Sequence, residues 1–197
     1  MGNLSYSIVE MAELYQPEKY KVYQGAGTSV GFCTVWNEPE LIFKQSEAIQ
    51  ENVALLGTLY SRQGVNVIIR NLALNPQIRK LFVWGNGALS NTQYGLAGKS
   101  ILQKIWAGGV DETGTVRGTE FKLESEIDPG VVEKIRVNVE LVEISEKTFE
   151  EAETMIEASG ASLPAYMEPV HFPDHVAPKV DTFPSEEVGF LVRGHGI

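Results

Sequence analysis

Apolar residues fall into two kinds of run along this chain: short continuous stretches, and stretches spaced three and four apart. Residues 29–36, SVGFCTVW, are apolar almost throughout and bounded by GAGT and NEPE, so they predict a buried strand. The segment that follows, ELIFKQSEAIQENVALLGTLYS, is mixed. Gly57 interrupts its helical pattern and SRQG supplies a turn, so a second strand is expected near residues 53–59. In VNVIIRNLALNPQ, Val65, Ile68, Ile69 and Leu72 share a helical face that stops at Asn75 before Pro76. Residues 80–85, KLFVWG, return to β-formers. GKSILQKIWAGG then places Ile101, Leu102, Ile105 and Trp106 at helical spacing, with Gly108 and Gly109 as the stop. VDETGTVRGTEF predicts a tight hairpin around Thr113 and Gly114, or an extended turn there. Asp128 as N-cap and Pro129 at the first helical position open a helix, VELVEIS is a strand, and Thr148 leads an amphipathic helix with acids at its N-terminal end.

Strands alternating with helices of this length predict an α/β fold, a Rossmann-like, mostly parallel sheet with helices on both faces. The domain reading is an N-terminal extension over residues 1–24, the Rossmann-like domain over 25–160, and an arm or linker over 161–197. The arm, proline-rich through LPAYMEPVHFPDHVAPKVDTFPSEE, is not expected to form regular structure and turns apolar again at VGFLVRGHGI.

Composition narrows the partners. The net charge of −10 argues against nucleic acid or an anionic membrane as the main partner. No stretch approaches the roughly 20 apolar residues of a membrane span, and the first residues lack the basic start and apolar core of a signal peptide. A cytoplasmic protein is expected. The single cysteine, Cys33, excludes an internal disulfide and a cysteine metal cluster, and its apolar setting reads as a buried small hydrophobe.

Candidate chemistry lies in the loops after the strands, because ligands of open parallel sheets sit beyond the strands' carboxyl ends. These loops are WNEP, YSRQGVN and GNGALSNTQYGLAG. In the second, Tyr60, Ser61, Arg62 and Asn66 precede a helix N-terminus, where backbone N–H groups and an arginine hold anionic or polar groups. QYGLAGKS ends as a phosphate-binding P-loop does, but Gln93 stands where that loop needs its first glycine, and no strand runs straight into it. A glycine-rich turn leading into a helix describes it better. His171 and His175 are four apart, yet Pro173 separates them and no third ligand is in register, which argues against zinc. No catalytic triad can be assembled, and Glu150 and Glu151 read as solvated helix surface. The sequence therefore offers no self-sufficient catalytic group.

Two stretches, NPQIRKLFVWG and GLAGKSILQKIWAGGVDE, together with SVGFCTVW and GTVRG, carry a resemblance in order and spacing. Over roughly residues 25–144 the chain resembles the corrinoid-carrying subunit of the tetrahydromethanopterin S-methyltransferase and related pterin-binding domains. The resemblance implies a place in one-carbon metabolism. The methyltransferase subunit holds the cobalt of its corrinoid with a histidine; here Gly95 occupies that place, which argues against an imidazole-ligated corrinoid. A second resemblance, in GTLYSRQGVNVIIRNL and DTFPSEEVGFLVRGHGI, is to the N-terminal extension of some thymidylate synthases. Together these imply a pterin or folate-binding domain that takes tetrahydrofolate or a tetrahydromethanopterin-like pterin and acts with a thymidylate synthase domain or subunit. No catalysis is expected from this chain alone, and a homo-oligomer is left open. The candidate contacts are Tyr60, Ser61, Arg62, Asn66, Trp84, Gly85, Asn86, Gly87, Tyr94 and Gly95, with Trp84 or Tyr94 stacking on the flat ring. The alternatives are a corrinoid-binding methyl carrier lacking the axial histidine, and a non-catalytic assembly module whose proline-rich arm docks on another protein chain.

Overall fold

The apolar run after Ser29 forms the centre of a five-stranded sheet. The structure, a computed structural model, describes residues 12–86 and 96–176. In chain order the strands are β1 (Tyr23–Gln24), β2 (Val30–Cys33), β3 (Leu55–Gly57), β4 (Lys80–Val83) and β5 (Glu140–Glu143), arranged β1-β3-β2-β4-β5. β2 to β5 run parallel, with Val30 opposite Lys80 and Lys80 opposite Glu140, and β1 joins the edge of β3 antiparallel. All four residues of β2 are buried, as expected of a strand covered on both faces.

Period-two alternation divides the strands between two cores. Cys33, Leu55, Leu81 and Val83 face one layer, made of α3 (Gly64–Leu74), α4 (Ala97–Gly108) and α5 (Pro129–Asn138). Val30, Phe32, Leu56 and Phe82 face the other, made of α1 (Pro39–Gln45), α2 (Glu47–Asn52) and α6 (Phe149–Glu157). The sheet is mixed α/β and mostly parallel, with helices on both sides. The expected caps hold: the Asp128 carboxylate accepts from the N–H of Val131, and Thr148 and Glu151 form a capping box.

One element differs from the sequence reading. The mixed segment before β3 contains α1 and α2, which meet at Ser46; its hydroxyl accepts from the N–H of Ile49. Helices of seven and six residues are too short to display a 3.6-residue period. Of the hairpin or turn expected around Thr113, the structure has a compact turn with two single bridges, Val110 to Val116 and Thr115 to Lys122. Its organiser is Asp111, whose carboxylate accepts from the N–H groups of Thr113 and Thr115 and the hydroxyl of Thr113.

Residues 12–22 and 161–176 form two straps that both lie against α3. Asn75 exchanges hydrogen bonds with the main chain of Glu13 (2.8 and 2.7 Å), and the N–H of Tyr15 donates to Asn71 Oδ1 (3.0 Å). On the C-terminal side, Tyr166 N–H donates to the Pro76 carbonyl and Val170 N–H to that of Ala73. The straps explain why Ile69 to Leu74 are all buried. A helix packed only on a sheet keeps a wet face; this one is covered on its outer side as well.

Candidate functional site

In an open parallel sheet, the crevice forms where the strand order reverses, here between β2 and β4. That position is filled by the chain itself. The Thr34 hydroxyl donates to the Asn37 carbonyl (2.8 Å), and the Asn37 N–H donates back to the Thr34 carbonyl (2.9 Å), making a tight turn after β2. Gly85, after β4, lies directly on this turn with φ of +119°. A Cβ there would stand 2.6 Å from Asn37 Nδ2 and 2.7 Å from the Thr34 carbonyl oxygen.

The opening lies one strand away, at the carboxyl end of β3. A cleft of about 450 Å3 runs between α3, the sheet and the N-terminal strap. Its floor is the face of β2, β3 and β4 that carries Gly31, Cys33, Leu55, Gly57 and Leu81. Val67, Ile68 and Leu72 of α3 form one wall, and residues 19–22 form the other. Thr58, Tyr60, Ser61 and Gln63 line the mouth. Gly57 leaves room on this face, whereas at Gly31 the Leu81 side chain already lies close, 3.2 Å from where a Cβ would stand. A Cβ on Gly57 would make only ordinary contacts, 3.8 Å to Val22 Cγ2 and 3.9 Å to the Lys21 carbonyl oxygen.

The sequence-predicted contacts separate into groups. Tyr60 and Ser61 line the mouth, with the Tyr60 ring 4.8 Å from that of Trp36. Arg62 is exposed and does not line the cleft. Asn66 is 1% exposed, and both ends of its amide are occupied: Nδ2 donates to Gln63 Oε1 (2.9 Å) and Oδ1 accepts from the N–H of Glu124 (3.1 Å). Trp84 belongs to the opposite core; its indole N–H donates to the Lys147 carbonyl (3.0 Å) and its ring packs against Phe32 and Phe149. Gly85 serves the loop contact described above, and Asn86 is exposed. Gly87, Tyr94 and Gly95 lie outside the described residues. Lys99, the lysine of GKS, donates to Glu143 Oε1 (2.9 Å) and Ser145 Oγ (2.6 Å). The two strap histidines pair with carboxylates, His171 with Glu13 at 3.6 Å and His175 with Glu126 at 2.9 Å; the second contact holds the Glu126 carboxyl below its usual range.

Sequence reasoning missed the most constrained charged group beside the cleft. Arg70, with 1% of its side chain exposed, sits in the middle of α3 and donates through Nε to Glu124 Oε2 (2.9 Å). Its Nη2 stands at the same distance from that oxygen, an ion-pair contact without hydrogen-bond alignment. Nη1 donates to the carbonyls of Phe172 (3.3 Å) and Pro173 (2.9 Å) in the C-terminal strap. The guanidinium lies 4.8 Å from the Tyr15 ring centroid and 5.8 Å from that of Phe172, both within cation–π reach. A basic residue inside the apolar run VNVIIRNLALN was the available signal. Its acidic partner, 54 residues on, was not readable.

Cys33 lies in the cleft floor, where burial pushes its thiol up to about 11. The thiolate is the reactive form, so the native protein is expected to resist alkylation at about pH 7–8 and react stoichiometrically in denaturant. Mass spectrometry after iodoacetamide treatment checks this; fast labelling of folded protein would show that the thiol is not held buried. No protein-family model matches the chain, and no curated protein matches it.

Proposed function

We propose that this chain is a pterin- or folate-binding domain of one-carbon metabolism, Rossmann-like in its sheet, which works with a thymidylate synthase domain or a methyltransferase partner. The carrying observation is the cleft beside β3, about 450 Å3 with an apolar floor left open at Gly57. Small-molecule sites span about 300–1,000 Å3 and combine apolar walls with a few polar groups. A bicyclic ring enters edge-on between sheet and α3, and Thr58, Ser61 and Gln63 at the mouth face its substituents. The strand order, reversing between β2 and β4, supports the Rossmann-like reading. The assembly-module alternative draws less support, because residues 161–176 lie on the chain's own α3.

Anaerobic calorimetry with tetrahydrofolate and tetrahydromethanopterin tests the proposal. One of the two is expected to bind the wild-type protein. Gly57→Val should weaken that binding at least ~tenfold, since its γ-carbons enter the cleft, while a β-branched residue suits the strand. Absence of binding at millimolar ligand overturns the proposal, and so does full binding by a folded Gly57→Val protein.

A further inference from the structure

Among the polar side chains of the cleft, one combines a fixed position with unused capacity. Asn71 is engaged at both ends of its amide, its Oδ1 accepting from the N–H of Tyr15 and its Nδ2 donating to the Val67 carbonyl. Glu38 is exposed at the lip. Glu124 differs from both. Its N–H is tied to Asn66, and its Oε2 is held by Arg70, which is itself gripped by two aromatic rings and two strap carbonyls. Its Oε1 takes part in no hydrogen bond among the described residues, and 18% of the side chain remains exposed. A carboxylate accepts through both oxygens along several directions, so Oε1 and the spare direction of Oε2 remain open.

Resting on the reading of the cleft as a pterin site, we propose that Glu124 is the residue that recognises the ring. Its carboxylate accepts from the two adjacent donors of a 2-amino-4-oxopyrimidine edge, the ring N–H and the exocyclic amino group. Two parallel donors facing two carboxylate oxygens is the arrangement that makes arginine–carboxylate pairs strong and directional. The converse sets the selectivity. In a 2,4-dioxo ring the exocyclic amino group is an oxygen, whose lone pairs would face a carboxylate that has nothing to donate.

The test compares 6-methylpterin with 6-methyllumazine, its 2-oxo counterpart, by fluorescence titration of the full chain, with tetrahydrofolate titrated in parallel. The wild-type protein is expected to bind the pterin at least ~tenfold more tightly than the lumazine, the size expected for a charge-assisted hydrogen bond. Glu124→Gln, which replaces one acceptor with a donor, should bring the two affinities within about threefold. A purely structural role for Glu124 would lower both affinities and leave their ratio in place. Equal binding of the two ligands by wild-type protein overturns the inference, even where tetrahydrofolate binds and the cleft reading stands. Failure of all three ligands overturns the cleft reading as well. The wild-type comparison decides the matter by itself should Glu124→Gln fail to fold.

Discussion

Arg70→Ala is expected to lower the unfolding free energy by roughly 3–5 kcal/mol, the range for removing one partner of a buried ion pair. The substitution does three things together. It leaves Glu124 without its cation, strips the Phe172 and Pro173 carbonyls of their donor, and removes the group packed between the rings of Tyr15 and Phe172. Arg70→Met separates these effects, because it keeps the apolar stem and the packing while deleting charge and donors. Urea unfolding gives the magnitude, and limited proteolysis of residues 161–176 shows whether the C-terminal strap has come away. A loss of less than ~1 kcal/mol for Arg70→Ala would mean that the straps are held by contacts other than the Arg70 clasp.

Gly85→Ala is expected to cost about 3 kcal/mol, from backbone strain of about 1–3 kcal/mol together with steric displacement of the Thr34–Asn37 turn. The glycine adopts φ of +119°, and its neighbour on the crowded side is a backbone carbonyl, which cannot swing aside as a side chain would. For a chain of this length, a loss of that size lowers the melting temperature by roughly 10 °C. From sequence alone, Gly85 stands among the expected ligand contacts. The two roles separate cleanly: a loop-packing glycine affects stability, whereas a ligand-contacting glycine affects affinity in a protein that melts normally. Calorimetric melting and ligand titration of the same variant read both.

The alternating architecture was legible because its strongest signals are local. Continuous apolar runs mark strands buried on both faces, and α3 to α6 announce themselves through apolar spacing, Asp128–Pro129 or the Thr148 capping box. The helices α1 and α2 escaped because each is too short for its spacing to repeat. The site was only partly legible. Tyr60 and Ser61 were reached by assuming that ligands sit beyond strand ends, and they do line the cleft. Trp84 has the composition of a stacking residue, but alternation along β4 carries it to the side occupied by α6. No local pattern indicates which face a residue just past a strand end will take. Glu124 lies in an irregular stretch, FKLESE, that looks like any solvated acidic surface; only the packing of Arg70 gives it a defined place.

The clasp around Arg70 also has a consequence in time. Its carbonyl partners lie 102 and 103 residues away along the chain, and Glu124 lies 54 away. Contacts that close such long loops form after local ones, because the ordering of the intervening chain must come first. The central strands and their flanking helices can therefore assemble before this clasp closes. On this route the C-terminal strap docks late, over a helix already in place.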